Sequence, residues 1–396
     1  LTEEDFPTRR PTVLRVDLGA LAHNVKILKA AAPGCSLLAV VKADAYGTGA
    51  IPVSRAALRA GADALGVALV EEGAALRRSG INAPILLLSP VDPEQAEDLL
   101  RWRLTPSVYS LAFLRALEGA AERLEAQAQV HLKVDSGMGR AGFRPEEIPA
   151  LVAELGKCRR IRVAGLYSNL ASADDPACPQ TAAQLETFLR ILGTLEREGI
   201  RPSVVHLANS AGLLAHPSTR LRQVRPGLTL FGLRPSTEVP DPGLRPVLSL
   251  STRLLQLKEM PPGSPVGYGA TFVTSRPTRL GILPVGYADG LPRSLGNRGE
   301  VLVRGRRCPL VGRVSMDLCA ADLTGVDGVR EGEEVVLWGG EGPSRLAPWD
   351  WARWAGTIPY EILTGLSPRL HRLYASPGGL GEGEAEGASS SPAATS

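Results

Sequence analysis

Residues 36–47 read SLLAVVKADAYG: an apolar run ends at Lys42 and gives way to small residues, Tyr46 and a glycine at Gly47. A run this short, followed by a longer stretch with Ala, Leu and Arg at helical spacing, is the pattern of a strand that feeds a helix. The alternation continues outward. Comparable runs recur at 65–68, 84–88, 104–108, 130–134, 163–167, 204–207 and 224–230, with amphipathic segments such as 18–31, 111–126 and 180–198 around and between them. Counted with 36–41 the series holds eight strands, and short strands in so regular a series predict an α/β fold closed as a (β/α)8 barrel. An open doubly wound sheet is disfavoured, since no GxGxxG follows the first strand. In a barrel, Lys42 stands at the C-terminal mouth, where active sites lie. A lysine at a strand end, taken alone, is more often a side chain that snorkels to water.

After Pro235 the texture changes. Short β-type runs at 247–257, 280–287, 300–303, 309–318 and 334–338 are separated by Gly and Pro, which predicts a second, β-rich domain. The expected division is a barrel over 12–240, a β-rich domain over 241–376 and a disordered tail over 377–396, a stretch of Gly, Glu, Ser, Ala and Pro.

Composition narrows the class. With 44 Lys and Arg against 41 Asp and Glu, the chain carries a formal charge of only +3 and no cationic block, so a nucleic-acid or anionic-membrane surface is not expected. Cys35, Cys158, Cys178, Cys308 and Cys319 are odd in number and far apart, neither a disulfide framework nor a metal cluster. No apolar run reaches membrane-spanning length, and residues 1–10 lack the apolar centre of an export signal. The expectation is a cytoplasmic protein with neither a metal nor a membrane partner.

Lys42 sits in VVKADAYGTGA, and the segments VHLKVDSGMGRAGF, ANSAGLL, VRPGLTLFG, VGYGATF, PVGYADGLPR, VGRVSMDL and GTIPYEIL follow it in order. Together these motifs, over roughly 12–374, resemble the alanine racemases. The resemblance implies a barrel that binds pyridoxal 5'-phosphate, a C-terminal β domain and a homodimer that shares its active sites. It implies that Lys42 attaches the cofactor and moves the α-proton on one face of the amino acid, and that Tyr268 of the partner subunit is the base on the other. A phenol of pKa about 10 is a poor base unless positive neighbours favour its phenolate. Arg225 would face the pyridine nitrogen and His206 would support it. A guanidinium keeps its proton, so it hydrogen-bonds that nitrogen without protonating it and leaves the ring a weaker electron sink.

The resemblance further implies a phosphate cup made of Tyr46, Asn209, Ser210, the Gly227-Leu228 backbone and Tyr360. Helix capping by Asn209 or Ser210 is an equally physical reading. Period two places His131, Lys133 and Asp135 on one strand face. In the family the lysine at the Lys133 position is often carbamylated and holds the arginine at Arg140, which contacts cofactor and substrate. An unmodified Lys133 paired to Asp135 or solvent is the plain alternative. Met316 by its backbone N–H, Asp317 and Tyr287 are the further substrate-side residues implied.

Three positions depart from the family pattern: Thr48, Ser315, and Asn169 in place of a histidine that stacks on the cofactor ring. An amide covers less of a π face and offers different hydrogen bonds. The leading expectation is interconversion of L- and D-alanine, with D-alanine supplied to peptidoglycan. A broad-specificity racemase, whose branch also carries asparagine at this position, is the alternative. A barrel-type decarboxylase, which should present an acid to the pyridine nitrogen, is disfavoured by Arg225. A non-catalytic cofactor-binding protein is disfavoured by the second domain.

Overall fold

The chain starts its regular structure in the second domain's sheet. β1 (Val13–Asp17) runs antiparallel to β10 (Leu248–Arg253) and parallel to β19 (His371–Ala375). Leu14 and Val16 are buried while Arg15 and Asp17 face outward, the alternation of a half-covered strand. The computed structural model describes residues 10–340 and 342–375, so the tail expected over 377–396 lies outside the described residues.

Asp17 then caps the helix Leu18–Ala31, its Oδ1 accepting from Ala20 N at 2.8 Å. The helix buries Leu18, Leu21, Val25 and Leu28, the spacing of one face. Eight parallel strands follow: β2 (Ser36–Val40), β3 (Ala64–Val67), β4 (Ile85–Leu87), β5 (Ser107–Val108), β6 (Ala128–Lys133), β7 (Ile161–Tyr167), β8 (Val204–His206) and β9 (Gln223–Val224). Their order is β4-β3-β2-β9-β8-β7-β6-β5, and a parallel bridge between Leu86 and Thr105 joins the two ends, so the sheet closes into the expected barrel. Helices such as Val70–Arg78, Leu111–Arg123 and Gln180–Arg197 lie between the strands. The eighth unit departs from the expectation. Only Gln223–Val224 is strand, and a short 3-10 turn, Leu228–Phe231, stands where a helix would follow. The helix Leu18–Ala31 packs beside that turn, with Asn24 Nδ2 donating to Leu230 O.

The second domain holds the remaining strands: β11 (Gln256–Met260), β12 (Pro265–Val266), β13 (Phe272–Val273), β14 (Thr278–Leu283), β15 (Glu300–Val303), β16 (Arg306–Pro309), β17 (Cys319–Asp322) and β18 (Glu334–Trp338). They form a six-stranded sheet, β16-β15-β18-β10-β1-β19, a three-stranded sheet, β11-β14-β17, and the hairpin β12-β13. Two expected runs are corrected. The run 247–257 divides into β10 and β11, and 309–318 is not a strand but a bent connection between β16 and β17. Gly312 breaks it: its φ is +74°, and a side chain there would lie 2.7 Å from Val266 O. Buried side chains from barrel and sheet, among them Leu37, Leu132, Leu230, Leu250, Trp338 and Trp351, form one continuous core.

Candidate functional site

A cavity of about 470 Å³ opens at the C-terminal ends of the barrel strands. Val40 from β2 and Lys42 just after it, Leu88, Ser89 and Pro90 after β4, Lys133 from β6, Arg140 and Ala141 after it, Tyr167 at the end of β7 and Asn169 beyond it, Asn209 and Ser210 after β8, and Arg225 and Gly227 after β9 line it. Tyr46 and Tyr360 complete the wall. Four cationic side chains therefore line one cavity, and among the described residues no carboxylate does.

Lys42 ends its strand in an unusual way. Ala43, Asp44, Ala45 and Tyr46 all have φ between 51° and 59° and ψ between 40° and 52°, one turn of left-handed helix. For non-glycine residues this costs about 1–2 kcal/mol each, so the surroundings must hold it. Glu72, in the first turn of the helix Val70–Arg78 after β3, does so: Oε1 accepts from Ala43 N at 2.6 Å and Oε2 from Ala68 N at 2.7 Å. Asp44 Oδ1 accepts from Ala50 N at 2.7 Å. The strained turn brings Tyr46 back under the cavity, against Phe231 and Tyr360. Burial first, then the charge of Arg140, lowers the Lys42 pKa, against a smaller opposing pull from Glu72. A larger share of its amine is thereby free to attack an electrophile.

Lys133 is buried, donates to Leu88 O at 3.1 Å and lies over the Tyr167 ring. It forms no ion pair with Asp135, whose carboxylate instead accepts the backbone N–H of Gly137, Met138 and Arg140. Burial, then Arg140, Arg225 and Lys42, pushes the Lys133 amine down to about 8.

Arg225 is buried beneath the cavity. It donates to His206 Nδ1 at 3.0 Å, Ser168 O at 2.8 Å, Asn169 Oδ1 at 3.2 Å and Leu207 O at 3.2 Å. No acid among the described residues is bonded to it. Burial lowers its pKa to about 10, so it stays charged at neutral pH. His206 lies behind it, away from the cavity wall, and Tyr167 stacks on that imidazole at 4.8 Å with 7° between planes. Asn169 is thus an acceptor for Arg225, and its Nδ2 donates to Leu170 O.

Ser210 Oγ accepts from Gly227 N at 2.9 Å, and Asn209 caps the helix Ser210–Ala215 with Oδ1 on Gly212 N at 3.0 Å. At Gly227 a side chain would lie 2.2 Å from the Tyr46 hydroxyl, so this stretch must be glycine for Tyr46 to approach. Leu228 turns its side chain into the core, which leaves only its backbone to serve a ligand. Chemically, the cavity offers two amines of lowered pKa, Lys42 and Lys133, a hydroxyl and backbone cradle, and an uncompensated guanidinium. That set fits an anionic, aldehyde-bearing aromatic ligand.

Four sequence-expected residues stand apart from this cavity in the chain. Tyr268, Tyr287 and Met316 are exposed at 71%, 43% and 54%, and Asp317 pairs with Arg369 at 2.6 Å. Two of their segments meet: Tyr287 N donates to Ser315 O and Ala288 N to Met316 O, both at 3.0 Å. Tyr167, Leu88, Ser89 and Pro90 are cavity residues that reading the sequence missed. Their one signal was position, at the C-terminal end of an expected barrel strand.

Residues 16–235 match the family model described as alanine racemase, N-terminal domain, and residues 247–374 that described as alanine racemase, C-terminal domain. A protein named alanine racemase from Symbiobacterium thermophilum is 45% identical over 371 residues, 93% of this chain and 98% of the relative. One of the same name from Halothermothrix orenii is 41% identical, over 92% and 97% of the two chains. Among solved structures, alanine racemase from Bacillus anthracis with bound L-Ala-P superposes with a TM-score of 0.89 at 35% identity, covering 95% of this chain and 97% of that one. Alanine racemase from the D-cycloserine producer Streptomyces lavendulae does so with a TM-score of 0.88 at 38% identity, covering 93% and 98%.

Proposed function

The chain belongs to the alanine racemase family, and on that premise we propose that it is an isomerase that interconverts L- and D-alanine with pyridoxal 5'-phosphate. The observation that carries the reading is the convergence of Lys42, Lys133, Arg140 and Arg225 on one cavity that no carboxylate among the described residues lines. Such a wall suits a cofactor with a phosphate and a phenolic oxygen, and it places a guanidinium, not an acid, at the deepest point. When bound, the cofactor supplies the electron sink that makes the α-proton of an amino acid acidic.

The chain's residues divide the remaining work. Lys42 holds the cofactor and carries a proton at Nζ on one face. Tyr46, Ser210, Asn209, Tyr360 and the Gly227-Leu228 backbone bind the phosphate. Arg225, steadied by His206, donates to the ring nitrogen and keeps it unprotonated. Asn169 flanks the ring and Arg140 reaches the phenolic oxygen and substrate. Tyr268 is the second base, supplied by a partner subunit together with the Met316 backbone N–H for the substrate carboxylate, Asp317 near that tyrosine, and Tyr287 at the entrance. The high exposure of these residues in one chain supports a homodimer that completes the site. A carbamate on Lys133 would turn one of four crowded cations into an anion beside Arg140. We place the division of the chain at 12–240 and 241–376, with the strand Val13–Asp17 of the first span joining the second domain's sheet.

All five cysteines are free thiols, in keeping with a reducing, cytoplasmic setting and a role in supplying D-alanine to peptidoglycan. Among the described residues no helix is long and apolar enough to cross a membrane.

The test is an absorbance spectrum of the purified protein followed by a chiral assay on alanine, serine, lysine and arginine. The reading predicts the visible band of a lysine-linked cofactor, lost in Lys42→Ala, and racemisation of alanine far above the others. Comparable rates on the long side chains would transfer the assignment to a broad-specificity racemase. A loaded protein that turns over none of them would sink it.

A further inference from the structure

Beneath the cavity three side chains form a line of hydrogen bonds whose proton positions follow from the chemistry of its first member. Arg225 Nη1 lies 3.0 Å from His206 Nδ1, and His206 Nε2 lies 2.8 Å from His131 Nδ1. Arginine offers donors only. His206 Nδ1 must therefore be a bare acceptor, and a neutral imidazole with a bare Nδ1 carries its proton on Nε2. That proton can go only to His131 Nδ1, which is bare in its turn and leaves the His131 proton on Nε2. Any other arrangement sets two N–H groups, or two lone pairs, against each other in a buried place.

The surroundings enforce the same state. The groups facing the two rings are Arg225, the Tyr167 ring stacked on His206, and Lys133 beyond that ring. No carboxylate among the described residues is hydrogen-bonded to any of them. Burial, then Arg225, holds His131 down at about 4, and burial, Arg225 and His131 hold His206 well below the ordinary imidazole value. Space has been made for the contact. Gly165 stands opposite His131 in the β6–β7 register, and a side chain on it would lie 2.4 Å from His131 Nδ1.

We propose that His131 is a positioning residue for the reaction: by accepting the Nε2 proton of His206 it stabilises the one tautomer that can receive Arg225, and so helps to hold the guanidinium aimed into the cavity. Its consequence for catalysis rests on the racemase reading, but the tautomer assignment does not. His131 is buried and is not among the residues that line the cavity. Its contribution passes through His206 to Arg225, whose direction and unshared charge would otherwise be free to vary.

The decisive experiment is nitrogen NMR of the full chain, labelled in its five histidines and freed of cofactor. His131 and His206 should both show a bare Nδ1 and a protonated Nε2, unchanged from about pH 5.5 to 8.5, where a free imidazole titrates. His131→Leu removes the acceptor, and the His206 signal should become a mixture of tautomers. His131→Asn, whose Oδ1 takes the place of Nδ1, should restore one. In the loaded enzyme His131→Leu should lower kcat on the order of 10-fold, the lower end of what losing a group behind a functional residue costs, with KM little changed and kcat recovered in His131→Asn. A protonated Nδ1 on His206 in the unmodified chain overturns the proposal, as does a His206 signal indifferent to His131→Leu. Should the leucine variant not fold, the spectra of the unmodified and asparagine chains decide. A chain that holds the tautomer pattern yet racemises nothing upholds the His131 assignment and removes the racemase reading alone.

Discussion

Arg225 serves more acceptors than a lysine could. His206 Nδ1, Ser168 O, Asn169 Oδ1 and Leu207 O all receive its N–H groups in a buried place. An ammonium on a flexible stem lacks the planar fork, so Arg225→Lys should leave at least one acceptor bare and cost about 1–3 kcal/mol. Urea unfolding of the cofactor-free protein checks this, and an unmoved midpoint would mean the fork is dispensable. Lys133 gives a prediction with a sign. Only a neutral amine captures carbon dioxide, and with its pKa brought down to about 8 by burial and three cations, its neutral fraction grows as pH rises through that value and vanishes well below it. Isotope-labelled bicarbonate should therefore mark Lys133 at alkaline pH, and the label should be lost on acidification and never appear in Lys133→Ala. Two lysines mark how far local sequence reaches. Lys42 was legible in place because it ends an apolar run at the expected barrel mouth, and Lys133 because period two sets it on one strand face with His131 and Asp135, while their roles rest on the family resemblance. Tyr167 was not, since its role depends on which side chains from neighbouring strands share a layer inside the barrel, and strand tilt and register set that.

At the scale of the element, the segments that the sequence reading misjudged are those bent by non-local contact. The run 309–318 carries Leu310, Val311, Val314 and Leu318 in a β-like pattern, yet Gly312 takes a left-handed conformation pressed against Val266, and the chain turns there. The Lys42–Gly47 turn has a helix-like composition but the opposite hand, held by Glu72 from the helix Val70–Arg78, which no local propensity foretells. The motif around Gly227 gains its reason in the same way. A side chain at Gly227 would strike the Tyr46 hydroxyl, so Gly227→Ala should push Tyr46 out of the cup, an overpacking worth about 1–3 kcal/mol. Cofactor affinity should fall by at least about 10-fold for each 1.4 kcal/mol passed on to binding. Tyr46→Phe removes the clashing oxygen, so the double variant should bind better than the product of the single effects. Strict additivity, read in a double-mutant cycle of cofactor titrations, would mean that the two residues do not meet.

For the whole molecule the question is how Tyr268 comes to work with Lys42. Tyr268 lies on the second domain at 71% exposure and is absent from the cavity wall, alongside the exposed Tyr287 and Met316. Large side chains left bare on one domain suit a surface that a partner covers, and a twofold assembly would supply each cavity with the other chain's tyrosine. Tyr268→Phe should slow proton transfer on the order of 10² to 10⁴ fold, the worth of a positioned base. That loss alone does not say which chain the phenol belongs to. Mixing does. Lys42→Ala and Tyr268→Phe proteins, each nearly inactive, should regain activity when exchanged into mixed dimers, because a Tyr268→Phe chain keeps its lysine and borrows an intact tyrosine. Roughly one site in four should be whole, since about half of the dimers are mixed and one of the two sites in each is complete. Were the two bases from one chain, every site in every mixture would lack one of them, and no activity would return however long subunits were allowed to exchange.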